Sequence, residues 1–255
     1  MKTHLSRLYY STLIPVVILA AWQGFSQAGV VSPIVLPAPT AITRAFVAGI
    51  QSGELALDAL ASLTRVLAGF LLGALAALPL GLLMGTRPVV FQLFNPILQL
   101  LRPIPPIAYI PMAIVWFGIG NVPAIFLISL GAFFPILIST TTGVQQVDRL
   151  YVLAAQNLGA SQKTMFLRIV LPAASPAILN GMRVGIGTAF IVVIVAEMIA
   201  VQNGLGFRIL EAREYMWSDK ILAGMFAIGL LGLGIDTLLS QASKRLLRWH
   251  RGVGQ

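Results

Sequence analysis

From Asp58 to Thr86 the chain carries one charge between its two ends, Arg65, and comparable apolar stretches occupy about 9–28, 90–118, 122–143, 176–201 and 220–239. At 1.5 Å of rise per residue, each is long enough as a helix to cross a hydrocarbon layer about 30 Å thick. A soluble core cannot hide six such runs. With 58% of residues hydrophobic and 10% charged, the chain lies far from soluble domains, in which roughly a quarter of residues are charged. The expected fold class is all-α: a polytopic membrane protein of six transmembrane helices in a single domain, residues 1–255.

The segments between the spans refine this expectation. Residues 9–28 read either as a signal peptide, with SQAG at 26–29 as a cleavage-like site, or as a retained first helix; the spans that follow and the interfacial position of Trp22 favour the second. Pro33, Pro37 and Pro39 exclude a spanning helix from 29–57, which predicts an extracytoplasmic loop with a short surface helix around Arg44–Gln51. In the second span Gly69, Gly73, Ala77, Gly81 and Gly85 fall at four-residue steps, and Gly181, Gly185 and Ala189 repeat the pattern in the fifth. Such stripes let helix backbones approach closely in lipid. They read as ordinary bundle packing or as a seam beside a transport pathway. RPIPP at 102–106 must break or kink the third span, and irregular backbone at membrane depth survives only where protein or a water-filled cavity covers it.

One interior stretch is polar enough to stand in water. Residues 148–172, DRLYVLAAQNLGASQKTMFLRIVLP, predict a helical hairpin in which Gly159 ends the first helix in the left-handed conformation and Ser161 caps the second. Pro172 is expected to stop that second helix. The spacing of Ala154-Ala155, Gly159, Ala160-Ser161 and Ile169-x-Leu171-Pro172 resembles the "EAA" signature of permease subunits in bacterial ATP-binding-cassette importers, with Leu153 at its acidic first position.

Charge placement gives an orientation. Ten basic residues (Lys2, Arg7, Arg87, Arg149, Lys163, Arg168, Lys244, Arg245, Arg248, Arg251) fall on one side and four (Arg44, Arg208, Arg213, Lys220) on the other. Basic residues near span ends mark the cytoplasm, so both termini and the hairpin are expected there. The net charge of +9 is spread over these ends rather than gathered into a patch for nucleic acid. With no cysteine, and with His4 and His250 both in the tails, the chain offers no metal cluster and no catalytic residues. Its glycine patterns, Gly118-x-Gly120 and Gly229-x-x-Gly232-x-Gly234, lack the strand context and the Gly-Lys-Ser/Thr of a phosphate loop.

Five ionisable residues lie within the spans. Arg65 and Arg183 are expected to reach the interfaces from span ends. Arg102, at the Pro103–Pro105 break, is the candidate for facing an anionic substrate; pairing with Glu197 or Asp236, or a position nearer the interface, are the alternatives. Glu197 reads equally as a structural partner or a gate residue on the pathway.

The resemblance extends beyond the hairpin. SLTRVLAGFLLG at 62–73, LLRPIPPIAYIPMAIVWFGIG at 100–120, LGAFFPIL at 130–137 and VAEMIAVQNGLGF at 195–207 are similar to permeases of the nitrate/sulfonate/taurine branch of these importers. What the resemblance implies is a homodimer in the bacterial inner membrane, two cytoplasmic ATPase subunits that bind ATP and Mg²⁺, and a periplasmic binding protein. The cargo would be a small solute, with bicarbonate among the anions the branch handles. The competing class is a secondary transporter or channel needing no ATPase, which leaves the glycine-hinged hairpin without a purpose.

Overall fold

The computed structural model describes residues 2–247, with side chains from Leu13 onward. The tail residues Arg248, His250 and Arg251 lie outside the described residues, as do the side chains of Lys2, His4 and Arg7. No strand occurs among the described residues. Helix α1 covers Lys2–Gln27, α2 Pro39–Gln51, α3 Glu54–Thr86, α4 Pro88–Leu101, α5 Ile110–Phe117 and α6 Asn121–Gln145. They are followed by α7 Arg149–Asn157, α8 Gln162–Met165, α9 Leu171–Ala200, α10 Leu205–Glu214 and α11 Ser218–Leu246.

The core is α6 held between α3 and α9. Both contacts are made by small residues. A Cβ on Gly69 would sit 2.6 Å from Ile128, and one on Gly73 2.6 Å from the Ser129 carbonyl. Gly81 and Gly85 face Thr140 and Val144 in the same way, at 2.8 and 2.5 Å, and Ala77 is fully buried between them. On the other flank Gly181 lies against Ser139 and Gly185 against Ile136. In lipid, apolar burial supplies no drive between helices, so dispersion contacts at this close range carry the association.

These pairings also set direction. Residue numbers rise together along α3 and α6, so the two are parallel; along α6 and α9 they run oppositely. Because α3 and α6 are matched from Gly69–Ile128 to Gly85–Val144, the chain between them must climb back through the same thickness. That return is α4 and α5, apolar together and bent by 81° at the proline break. Pro106 opens a 3-10 turn, Pro106–Tyr109, before α5 begins. Over the expected third span the chain thus forms two helices with a sharp bend between them. α3, α6, the run from Gln162 to Ala200, and α11 are the four helices among the described residues that are individually long and apolar enough to cross.

Two expectations need correction. Pro172 does not stop the second hairpin helix: Gln162–Ala200 is one 39-residue rod. The physical reason is a π-helical turn, Phe166–Val170, which shifts the hydrogen-bonding register just before the proline, so that Pro172 enters the first turn of α9, where its missing N–H is harmless. Between α9 and α11 the chain forms α10, whose Leu205 is fully buried. In the 29–57 loop the surface helix starts earlier than expected, with Pro39 in its first turn. The Gln23 side chain bonds Thr40 and the Ser26 hydroxyl donates to the Leu36 carbonyl, fastening α1 to this loop.

The close approach makes a selective demand on side-chain size. Gly73→Ala forces Cβ into a backbone carbonyl that cannot yield and should cost about 1–3 kcal/mol. Gly229→Ala, whose Cβ meets nothing within 4 Å, should be neutral or slightly favourable. Thermal unfolding of the two purified variants in one detergent checks the contrast; equal melting temperatures would contradict this seam.

Candidate functional site

Three features stand out around the α3–α6–α9 core. At the 58–65 end of α3 is a buried polar network. The Arg65 guanidinium donates from Nη1 to Glu197 Oε1 at 2.6 Å, from Nε to Asn121 Oδ1 at 2.7 Å, and from Nη1 to the Asn203 carbonyl at 3.0 Å. A further bond joins Nη2 to Asn203 Oδ1. The second oxygen of Glu197 accepts from the Ser62 hydroxyl (2.8 Å) and from the Gly206 N–H (2.9 Å). Asp58 accepts from the Gly204 N–H and from Arg208 Nε, both at 2.9 Å, while Ser62 Oγ accepts from the Leu205 N–H. The three leading amides of α10 thus meet two carboxylates and a hydroxyl, which satisfies donors that an isolated helix start leaves open and places negative charge at its positive end.

Arg65 therefore does not snorkel as expected. It lies near the end of the span, but its side chain is 4% exposed and paired with a carboxylate 1% exposed. Burial of either charge alone would be costly, and the surrounding donors and acceptors make the pair tenable. Arg183 is corrected too: it grips Asp236 through Nε and Nη2 at 2.5 and 2.6 Å, joining α9 to α11. Neither acid is left for Arg102. Glu197, considered as a pathway residue, has both oxygens committed within the network. Gly204, at φ +105°, is indispensable to this geometry, since a Cβ there would lie 2.5 Å from Glu197 Oε1. Outside the spans, desolvation works against the charge on Arg208, yet hydrogen bonding to Asp58 and the nearby Glu211 and Glu54 carboxylates hold its pKa above the usual guanidinium value.

The second feature is a cavity of about 210 Å³ between α4 and α6. Arg102 lines it, just before Pro103 and Pro105, together with Asn95, Gln99, Thr141, Thr142 and Gln145. The sequence reading found Arg102 and passed over Asn95 and Gln99; their four- and seven-residue spacing on α4 was the available signal.

The third is the helix-turn-helix at 148–172. Asp148 caps α7 by accepting from the Leu150 N–H, and Ser161 Oγ accepts from the Thr164 N–H to cap α8. Between them Gly159 adopts φ +76°; its N–H reaches the Gln156 carbonyl, and the Ala160 N–H reaches that of Ala155. That paired closure is a Schellman stop. Ala155 and Met165 are buried and Phe166, Ile169, Leu171 and Pro172 are half-buried, but Ala154 and four larger side chains in or just after α7 face outward: Leu150, Tyr151, Leu153 and, at 88% exposure, Leu158.

Comparison with known proteins identifies the family. Residues 69–249 match the family described as "Binding-protein-dependent transport system inner membrane component". A probable ABC transporter permease protein of Brucella abortus is 41% identical over 250 residues, covering 98% of this chain and 99% of that one. The taurine transport system permease protein TauC of Escherichia coli K12 is 36% identical over 242 residues, covering 93% and 88%. Among solved structures, the inward-facing MetNI methionine ABC transporter matches with a TM-score of 0.62 at 22% identity, over 76% of this chain and 95% of that one; at that identity the likeness is one of fold.

The network predicts a strong coupling between its two charges. Glu197→Met leaves the buried Arg65 uncompensated and should cost about 3–5 kcal/mol, whereas Arg65→Met with Glu197→Met together should cost clearly less than the sum of the two single changes. Thermal unfolding of the four proteins of that cycle measures the coupling; strict additivity would mean that the pair contributes nothing as a pair.

Proposed function

The chain belongs to the binding-protein-dependent transport system inner membrane component family, the permease subunits of ATP-binding-cassette importers, and on that premise we propose that it carries a small anionic solute of the taurine, sulfonate, nitrate or bicarbonate class into the cytoplasm. It is a transport subunit of the inner membrane and not an enzyme; ATP hydrolysis belongs to a separate subunit. In the proposed assembly two copies of this chain surround one pathway. Each contributes six spans: α1, the bent α4–α5 crossing, and the four long helices. Both termini lie in the cytoplasm. Two ATPase subunits hold ATP and Mg²⁺, and a periplasmic binding protein delivers the solute to the opposite face.

The observation that carries this reading is the outward-facing apolar surface of the helix-turn-helix. A water-exposed unit that turns Leu150, Tyr151, Leu153 and Leu158 away from its own core is built to be covered by a partner. Leu153, where relatives of the signature have an acid, makes that contact apolar rather than ionic. The unit sits between α6 and α9, and its second helix is continuous with the 39-residue rod. A push on the unit is therefore delivered along α9 without a flexible joint, which is what alternating access by rigid-body rocking requires. The break at Pro103 and Pro105, with Arg102 beside it, lies on the proposed pathway.

Gly159 is the geometric hinge of this scheme. Space around it is open, so a side chain there is opposed by the left-handed backbone rather than by a clash. Gly159→Leu should cost about 1–2 kcal/mol locally, leave the membrane abundance of the protein near normal, and abolish co-purification of the ATPase together with ATP-dependent uptake. Pull-down from mild detergent with uptake in the same strain is the test, and undiminished uptake would overturn the lever.

A further inference from the structure

We propose that the cavity between α4 and α6 is an anion-binding station within the permease itself, selecting a small oxyanion such as a sulfonate or nitrate; this rests on the importer reading above. Three observations support it. Asn95, Gln99 and Arg102 lie at i, i+4 and i+7 on one face of α4, opposite Ile138, Thr141, Thr142 and Gln145 on α6, so polar groups of two helices converge on one space. Thr141 is buried and Asn95 half-buried, while Gln99, Arg102, Thr142 and Gln145 are exposed, so the space is open to a ligand arriving from outside the chain. Second, the guanidinium of Arg102 has no ion pair or hydrogen bond with any described residue, and no carboxylate lines the cavity. The membrane-embedded acids that could have neutralised it are spent elsewhere, Glu197 on Arg65 and Asp236 on Arg183.

The third observation is size and chemistry. About 210 Å³ is room enough for a solute of a few heavy atoms. Arg102 supplies a planar fork for two oxygens of a sulfonate or nitrate, and the amides of Asn95, Gln99 and Gln145 can donate to the remaining oxygen. Thr141 and Thr142 already donate their hydroxyl protons to the Gly81 and Ile138 carbonyls. They shape the wall rather than compete for the ligand. Discrimination would then be exercised twice on the way in, once by the binding protein and once here by charge and size.

Because the chain has no cysteine, a single introduced thiol reports on the cavity without interference. Thr142→Cys in the full chain, assembled with its ATPase in lipid nanodiscs so that both faces are accessible, is treated with anionic sulfonatoethyl methanethiosulfonate and with its cationic trimethylammonium counterpart. Rates are normalised to a free thiol. The anionic reagent should react about tenfold or more faster, methanesulfonate should protect, Arg102→Lys should keep the preference and Arg102→Gln should remove it. Equal rates for the two reagents, or a preference unchanged by Arg102→Gln, would overturn the station. ATPase co-purification of each variant verifies that it is assembled. Uptake into proteoliposomes with the binding protein separates the two claims: absence of ATP-driven anion uptake by the unmodified protein overturns the importer reading, while the labelling ratio still decides the site.

Discussion

Everything in this protein depends on how closely α6 can be approached from both sides. In lipid, two apolar helices gain almost nothing by leaving hydrocarbon for each other, so only contacts shorter than ordinary side chains allow make association favourable. The glycines of α3 and α9 permit those contacts along nearly the whole length of α6. The result is a closely packed three-helix body with a polar network at one end and the helix-turn-helix at the other.

The two ends are built on opposite principles. At the 58–65 end of α3, the network binds α3, α6, α9 and the start of α10 through charge-assisted bonds that leave almost no polar valence open. Such an arrangement favours one geometry strongly, because displacing any member strands a buried charge. At the other end, the helix-turn-helix is closed locally by a Schellman stop and a serine cap, and turns apolar side chains outward. One end is satisfied within the chain; the other leaves an apolar face open. Between them the π-helical turn at Phe166–Val170 and the proline after it join lever to span without a break, and α9 returns to the network through Glu197.

The α4–α5 pair is the exception to this continuity. Its bend of 81° follows directly after Arg102, whose side chain lines the cavity between α4 and α6.

Much of this was legible in the sequence. Apolar runs of spanning length, the four-residue glycine spacing, the proline break and the Gly159 turn are local features, and each acts through backbone geometry that does not depend on distant residues. Arg65 and Arg183 show where that reading ends. An isolated arginine near a span end has interface-seeking as its default, and nothing adjacent in sequence reveals that Glu197, 132 positions away, waits for Arg65, or that Asp236 waits for Arg183. Pro172 failed as a stop for a related reason, because a π-helical turn just upstream changed which amides needed partners. The outward face of α7 was likewise settled by packing, since the spacing of Leu150, Ala154 and Leu158 specifies a stripe but not the side of the helix that meets the protein. By itself, then, the sequence determined the long apolar helices, the proline break and the glycine turn, through the reach and conformational limits of the backbone. Which charges pair, which face is left open and where a cavity remains were decided only when distant segments were brought within van der Waals range.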